Sequence, residues 1–133
     1  MRSTASKVVL ALVITIAITA CARNAPVYNL PEAPVTASKP NASLDEVGKA
    51  IIRAGATLGW QMKQVKPGLI LGTLNVREHM AAVDVQYTPQ SYSIQYKDSS
   101  NLSYDAQSKT IHKNYNGWIQ NLDKAIRAQL SAL

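Results

Sequence analysis

Apolar side chains recur every three or four residues in two stretches of the chain, which predicts two amphipathic helices. The first, over residues 44–58, begins after a capping box in which Ser43 is followed three residues later by Glu46. The second covers about 114–131. Their apolar positions are Leu44, Val47, Ile51, Ala54 and Leu58, then Tyr115, Trp118, Ile119, Leu122, Ile126 and Leu130. Trp118 stands in the middle of its apolar face, so we expect it to be buried.

Between the helices, apolar and polar residues alternate, which is the pattern of half-buried β-strands. Four strands are predicted, over residues 60–65, 69–76, 79–87 and 92–97. A two-residue turn at 77–78 pairs Leu74 with Ala81, and the next turn pairs Val85 with Ile94. Apolar side chains then share one face across three strands, which indicates an antiparallel meander.

The order of these elements defines the predicted fold. We expect an α+β domain in the order α-β-β-β-β-α, a four-stranded antiparallel meander with two helices packed on one face. The polar segment Asp98–Lys113 is predicted to be a long loop.

The first hairpin leaves two interpretations open. If Lys66–Leu69 forms a tight four-residue turn, the register directs four apolar side chains to the face without helices: Trp60, Met62, Leu69 and Leu71. They would form a docking or dimer surface there, with Trp60 and Leu71 as candidate partner contacts. A β-bulge near Gly72 would instead move Trp60 and Met62 into the core.

The N-terminal sequence is typical of a lipoprotein signal peptide. Arg2 and Lys7 precede Val8–Ala20, thirteen residues without charge, Gly or Pro, and this run is shorter than the roughly 20 residues of a transmembrane helix. Ile18-Thr19-Ala20-Cys21 resembles the bacterial lipobox, whose cysteine is acylated. Ala22 follows in place of the aspartate that retains lipoproteins at the inner membrane, which implies sorting to the outer membrane. We therefore predict a signal peptide over 1–20 and fatty acids on Cys21, the membrane anchor.

Residues 21–43 hold four prolines and little periodic apolar pattern, which predicts the lipidated cysteine followed by a Pro-rich tether. A random coil of that length separates its ends by about 25 Å. Residues 44–133 then form one small domain with ten Lys or Arg against seven Asp or Glu, a net charge of +3. That charge is ordinary for a small domain, and without a basic cluster it argues against nucleic-acid binding.

The sequence carries few groups for catalysis. Cys21, as the lipid site, cannot serve as a nucleophile, and neither G-x-S-x-G nor H-E-x-x-H occurs. Glu78 and Asp84 would stand about 20 Å apart along one strand, beyond the separation that glycoside hydrolysis needs. His79 and His112 are the only histidines and would need a third ligand to hold zinc. We therefore predict no enzymatic activity, no cofactor and no metal.

Polar and aromatic residues cluster over 100–118, which makes this region a candidate ligand or partner site. A helix N-terminus there would offer free amides to an anion or a glycan carboxylate. The candidate contacts are His112, Lys113, Tyr115, Asn116, Asn101 and Tyr104. In the alternative interpretation, Asn114 or Asn116 caps the helix while Tyr115 and Trp118 anchor it to the sheet.

Three segments carry a resemblance to known proteins: TLNVREHMAAVDVQY, SYSIQYKDSSNLSY and IHKNYNGWIQNL. Together they resemble a family of small, uncharacterised outer-membrane lipoproteins of Gram-negative bacteria, over roughly residues 58–122. The resemblance implies fold and location but no activity. We therefore expect a lipid-anchored envelope protein whose periplasm-facing domain is a non-catalytic protein-interaction module. The alternative is a binding domain for peptidoglycan or another envelope polymer.

Overall fold

The computed structural model describes residues 23–133, so the predicted signal peptide and Cys21 lie outside the described residues. Two helices and seven strands follow one another along this part of the chain. They are β1 Asn24–Pro26, β2 Leu30–Pro34, α1 Leu44–Thr57, β3 Gln61–Lys66, β4 Leu69–Val76, β5 His79–Tyr87, β6 Ser91–Ser100, β7 Thr110–His112 and α2 Lys113–Ser131.

Both predicted helices are present, with ends within one or two residues of those expected. The start of α1 follows the predicted chemistry, because the Ser43 hydroxyl accepts a hydrogen bond from the Glu46 amide at 3.1 Å. This bond satisfies one of the amides that the first turn of a helix leaves without an internal partner. The Glu46 carboxylate forms an ion pair with Lys39, which fixes the chain just before the helix.

The main sheet is antiparallel and has five strands in the order β2-β6-β5-β4-β3. Its central registers are those predicted, with Leu74 opposite Ala81 and Val85 opposite Ile94. Four strands were predicted, one fewer than the main sheet contains, because β2 adds an edge strand beside β6. A second, two-stranded sheet pairs β1 with β7.

The segment predicted to be a tether is folded onto the domain over residues 24–43, which corrects that prediction. Strands β1 and β2 lie within it, and the Val35 amide donates to the Gln90 carbonyl at 2.8 Å. Ala33 and Ala42 are buried in the core. Prolines do not prevent this arrangement, because an edge strand leaves one row of its backbone groups unpaired.

The predicted loop over 98–113 is also shorter than expected. Strand β6 continues to Ser100, and β7 occupies Thr110–His112. Between them, Asp105 and Thr110 form an isolated antiparallel bridge. The polar composition of this segment hid the strands, because its one buried strand residue, Ile111, gives no visible alternation.

The core lies between the helices and one face of the sheet. Buried side chains of α1 and α2 join those of β4, β5 and β6 in a single cluster. Gly48 allows α1 to approach the sheet closely, because a Cβ atom at this position would lie 2.5 Å from the Tyr87 hydroxyl.

A buried carboxylate connects α2 to the sheet. Asp123 accepts hydrogen bonds from the Tyr92 hydroxyl at 2.5 Å and from Arg127 Nη2 at 2.6 Å. Tyr92 and Asp123 are buried, while the Arg127 side chain reaches solvent. The charge of Asp123 is therefore paired at the margin of the core.

The structure decides between the two interpretations of the first hairpin. Met62 lies opposite Gly72, and the register shifts between Gln64 and Lys66. This bulge at Val65 turns Trp60 and Met62 toward the core, and Trp60 is only 4% exposed. A bulge was expected near Gly72, but the strand that carries it is β3.

The predicted docking surface is consequently wrong. Leu71 pairs with Lys63 and Asp84 on the face without helices, whereas Trp60 is buried under the helices. The two side chains do not lie side by side, so they form no shared patch.

Candidate functional site

Hydrogen bonds join three loops at the end of the domain where α2 begins. The Lys113 amide donates to the Arg23 carbonyl at 2.8 Å, and the His112 amide donates to the Leu102 carbonyl at 2.7 Å. Asn101 Nδ2 donates to the Glu78 carbonyl at 2.7 Å. We call the part of this region formed by residues 23–24, 77–79 and 112–114 the α2 end.

His112 caps α2, a role that had been expected of Asn114 or Asn116. His112 Nδ1 accepts a hydrogen bond from the Asn114 amide at 3.2 Å. The neutral ring therefore carries its proton on Nε2. Because Nδ1 is occupied by the cap, His112 is a structural residue of the helix start.

Asn116 holds the N-terminal segment against α2. Its side-chain oxygen accepts from the Tyr28 amide, and its Nδ2 donates to the Pro26 carbonyl, both at 2.9 Å. One amide group thus satisfies a backbone donor and a backbone acceptor beside β1. Both polar atoms of the Asn116 side chain are therefore used to hold the fold together.

Three tyrosine rings form a row from the core to the surface. Tyr115 is fully buried and packs edge-on against Tyr96, with the ring centroids 5.7 Å apart. Tyr104 stacks on the other side of Tyr96 at 4.3 Å and remains 39% exposed. Tyr115 thus supports Tyr96 from below, and Tyr104 is the exposed member of the row.

An open groove of about 670 Å³ runs beside this exposed ring. We call it the Tyr104 groove; it is lined by Tyr96, Lys97, Asp98, Ser99, Asn101, Leu102, Ser103 and Tyr104. Lys97 Nζ lies 3.4 Å from the Asp84 carboxylate on the neighbouring strand, so its charge is already paired. The groove therefore offers an aromatic surface with hydroxyl, amide and carboxylate groups around it, which suits binding by stacking and hydrogen bonds.

The structure brings only part of the predicted site together. Asn101 and Tyr104 line the groove, and the exposed Lys113 lies at the α2 end. Tyr115 anchors α2 to the sheet, as the structural alternative expected, whereas the cap is His112 and Asn116 holds the N-terminal segment. Trp60 and Leu71 lie elsewhere, in the core and on the open face of the sheet.

Sequence reasoning missed the role of Tyr96 beneath the groove. It lies on the inward face of β6, opposite Val83, and a register shift follows it. The alternation of Tyr92, Ile94 and Tyr96 indicates an inward residue but not one that reaches the margin of the core. The contact with Tyr104 depends on the path of the chain over 101–104, for which the sequence gives no signal.

The phenols of Tyr92 and Tyr115 give a prediction about pH. Burial raises the pKa of both, and the hydrogen bond to Asp123 raises that of Tyr92 further. Folded protein keeps these protons at a pH where the unfolded chain loses them, so stability is unaffected below about pH 10 and falls above it. Each such tyrosine contributes a slope of about 1.4 kcal/mol per pH unit.

Tyr115→Phe should remove one of these contributions. Urea unfolding at pH 9 and at pH 11 should show a loss of stability over this interval that is smaller than that of the wild type by about 1.4 kcal/mol in total. At pH 7 the variant should be at least as stable as the wild type, because the Tyr115 hydroxyl is buried without a hydrogen-bond partner. Equal losses for the two proteins would show that Tyr115 ionises as readily in the folded protein as in the unfolded chain.

Among residues 23–133, no group of three or more His, Cys, Asp or Glu side chains is placed to hold a metal ion. Neither of the helices described there is long and apolar enough to cross a membrane.

Comparisons of the chain with protein-family models, with curated proteins and with solved structures give no match. The resemblance to outer-membrane lipoproteins therefore stays a prediction from the sequence.

Proposed function

We propose that this chain is a lipid-anchored envelope protein whose folded domain binds a protein partner without catalysis. The lipobox carries the anchoring part of the proposal, because a basic start, an apolar run, small residues and the single cysteine coincide at Cys21. Ala22 favours delivery to the outer membrane, and the domain would face the periplasm. Three acyl chains on one residue would make release from the bilayer negligible, since each buried CH₂ adds about 0.8 kcal/mol.

The Tyr104 groove is the contact site that we assign to this domain. Tyr104 is a large aromatic side chain left 39% exposed, and its ring stacks on that of Tyr96 with the centroids 4.3 Å apart. Rigid aromatic residues with polar neighbours are typical centres of protein interfaces, because they bury much area at a small loss of side-chain entropy. This exposed stacked ring is the observation that supports an interaction module.

A second candidate is a binding domain for peptidoglycan or another envelope polymer. The same aromatic surface favours it, because a flat ring beside Asn101, Ser103 and Ser99 presents a stacking face with hydrogen-bonding groups. Ligand sites commonly combine apolar surface with a few placed polar groups. The two candidates share the groove and differ in what occupies it.

Capture experiments with Tyr104→Ala separate these candidates. The full acylated protein, solubilised in mild detergent, is incubated with purified peptidoglycan sacculi and, separately, with solubilised envelope proteins. We expect specific capture of an envelope protein that falls about tenfold or more in the variant, the loss expected for a central interface residue. Capture by sacculi with the same loss would favour the polymer-binding candidate.

Val65→Ala is the matched control. Val65 is an apolar side chain that is also exposed, but it lies on the edge strand β3. It should bind like the wild type. If Tyr104→Ala and Val65→Ala both bind like the wild type, the Tyr104 groove is not the contact site.

A further inference from the structure

We propose that the domain docks with its α2 end against the phospholipid head groups of the membrane that holds its acyl chains. This inference rests on the proposed acylation of Cys21. It goes further by assigning an orientation and a lipid-contacting surface to the domain, in place of free movement at the end of a tether.

The length of chain between the anchor and the fold is the first argument. The Arg23 carbonyl accepts a hydrogen bond from the Lys113 amide at 2.8 Å, so the chain is already joined to α2 at this residue. Only Ala22 lies between Cys21 and Arg23, and the two residue steps from one to the other span at most about 7 Å when fully extended. A coil over all of 21–43 would have allowed about 25 Å.

The strength of the attachment is the second argument. Strand β1 pairs with β7 in register from Asn24 opposite His112 to Pro26 opposite Thr110. The Asn116 side chain adds two hydrogen bonds at 2.9 Å just beyond the strand. Separating the domain from the membrane surface would require these bonds to break together.

The charge of the α2 end is the third argument. It carries three basic residues, Arg23, Arg77 and Lys113, and one acidic residue, Glu78. Within residues 23–133 none of the three basic side chains forms an ion pair. A basic residue close to an anionic membrane contributes about 1 kcal/mol of attraction, so this end complements anionic phospholipid.

The opposite end of the domain lacks this excess of positive charge: Lys66 there pairs with no carboxylate among residues 23–133, but Glu32 lines the same groove as Lys66 and balances its charge. At the start of α1 the charges are paired, because Lys39 contacts Glu46 and Lys49 contacts Asp45. Gln90, in the turn between β5 and β6, lies at this far end. It is separated from the α2 end by the length of a nine-residue strand, about 30 Å.

Fluorescence quenching in vesicles tests the orientation. The acylated full chain carries either Asn114→Cys or Gln90→Cys, both at exposed positions. Acylation consumes the Cys21 thiol, so the introduced cysteine alone takes an environment-sensitive dye. The proteins are reconstituted in vesicles of phosphatidylethanolamine and phosphatidylglycerol that contain a lipid with a spin label on its head group.

We expect several-fold stronger quenching at position 114 than at position 90. Equal quenching at the two positions, in protein that floats with the vesicles, would overturn the docking while leaving the anchor intact. Protein that does not float with the vesicles would overturn the anchor and the docking together.

Two controls link the result to the named contacts. Adding Arg23→Gln and Lys113→Gln, or replacing the lipids by phosphatidylcholine, should reduce the difference in quenching several-fold, because either change removes the charge attraction. Adding Asn116→Ala should also reduce it, since the N-terminal segment loses two of its bonds. A difference that survives all three changes would contradict the proposed charge contact and attachment.

Discussion

Replacing Trp60 by alanine should lower the free energy of unfolding by about 3–5 kcal/mol, the range for large aromatic side chains in cores. Trp60 is 4% exposed and belongs to the single core cluster between the helices and the sheet. A domain of this size has only about 5–10 kcal/mol of stability, so the variant should be near the limit of folding. Urea unfolding followed by circular dichroism measures the change.

Trp118→Ala is the matched control, and it should cost clearly less. Trp118 was expected to be buried in the middle of the apolar face of α2, but the structure leaves it only partly buried beside Leu58, Trp60 and Asn121. Truncating a partly buried ring removes less buried area and leaves a smaller cavity than truncating a fully buried one. A larger loss at Trp118 than at Trp60 would contradict the observed packing of the first hairpin.

Asp123→Ala should destabilise the protein by about 2–3 kcal/mol, because it leaves the buried Tyr92 hydroxyl without an acceptor. Both residues are buried, and their hydrogen bond is 2.5 Å long. Arg127 also loses its partner, but its side chain reaches solvent and can be hydrated there. We therefore expect a smaller cost than the 3–5 kcal/mol typical of a fully buried ion pair broken on one side.

A double-mutant cycle with Tyr92→Phe isolates this contact. Once Tyr92 has no hydroxyl, Asp123→Ala should cost less than it does in the wild type, because no donor is left unpaired. Equal costs in the two backgrounds would show that the hydrogen bond between Tyr92 and Asp123 contributes nothing to stability.

The helices and the central hairpins could be predicted because their signals are local. Ser43 and Glu46 define the start of α1 chemically, and the turns at 77–78 and 88–91 leave one register in which the apolar faces agree. The first hairpin could not be predicted in this way. Its register depends on a bulge at Val65, which the core requires in order to take in Trp60.

The N-terminal segment was wrongly predicted to be a tether. Its proline content indicates how the segment behaves in isolation, but not how it packs on the folded domain. Pro31 and Pro34 lie in β2, which is an edge strand, and the partners of this segment are distant in the sequence. Asn116, for example, binds the backbone of Tyr28, 88 positions away. No local pattern encodes such a contact.

The candidate site, like the fold, could be predicted only in part. The sequence identified Asn101 and Tyr104 from composition, and both line the groove. It also selected His112 and Asn116, but the His112 side chain caps α2 and the Asn116 side chain hydrogen-bonds the backbone of the N-terminal segment. A polar residue in a cluster looks the same in the sequence whether it faces a ligand or the backbone, so only the geometry separates the two roles.

Acylation of Cys21 is the central claim, and metabolic labelling with a fatty-acid probe, followed by membrane fractionation and intact mass, tests it most directly. We predict that the wild type is labelled, fractionates with the outer membrane and has lost residues 1–20, whereas Cys21→Ala is unlabelled. Labelling that persists in Cys21→Ala, or a wild-type chain that carries no fatty acid, would contradict the account.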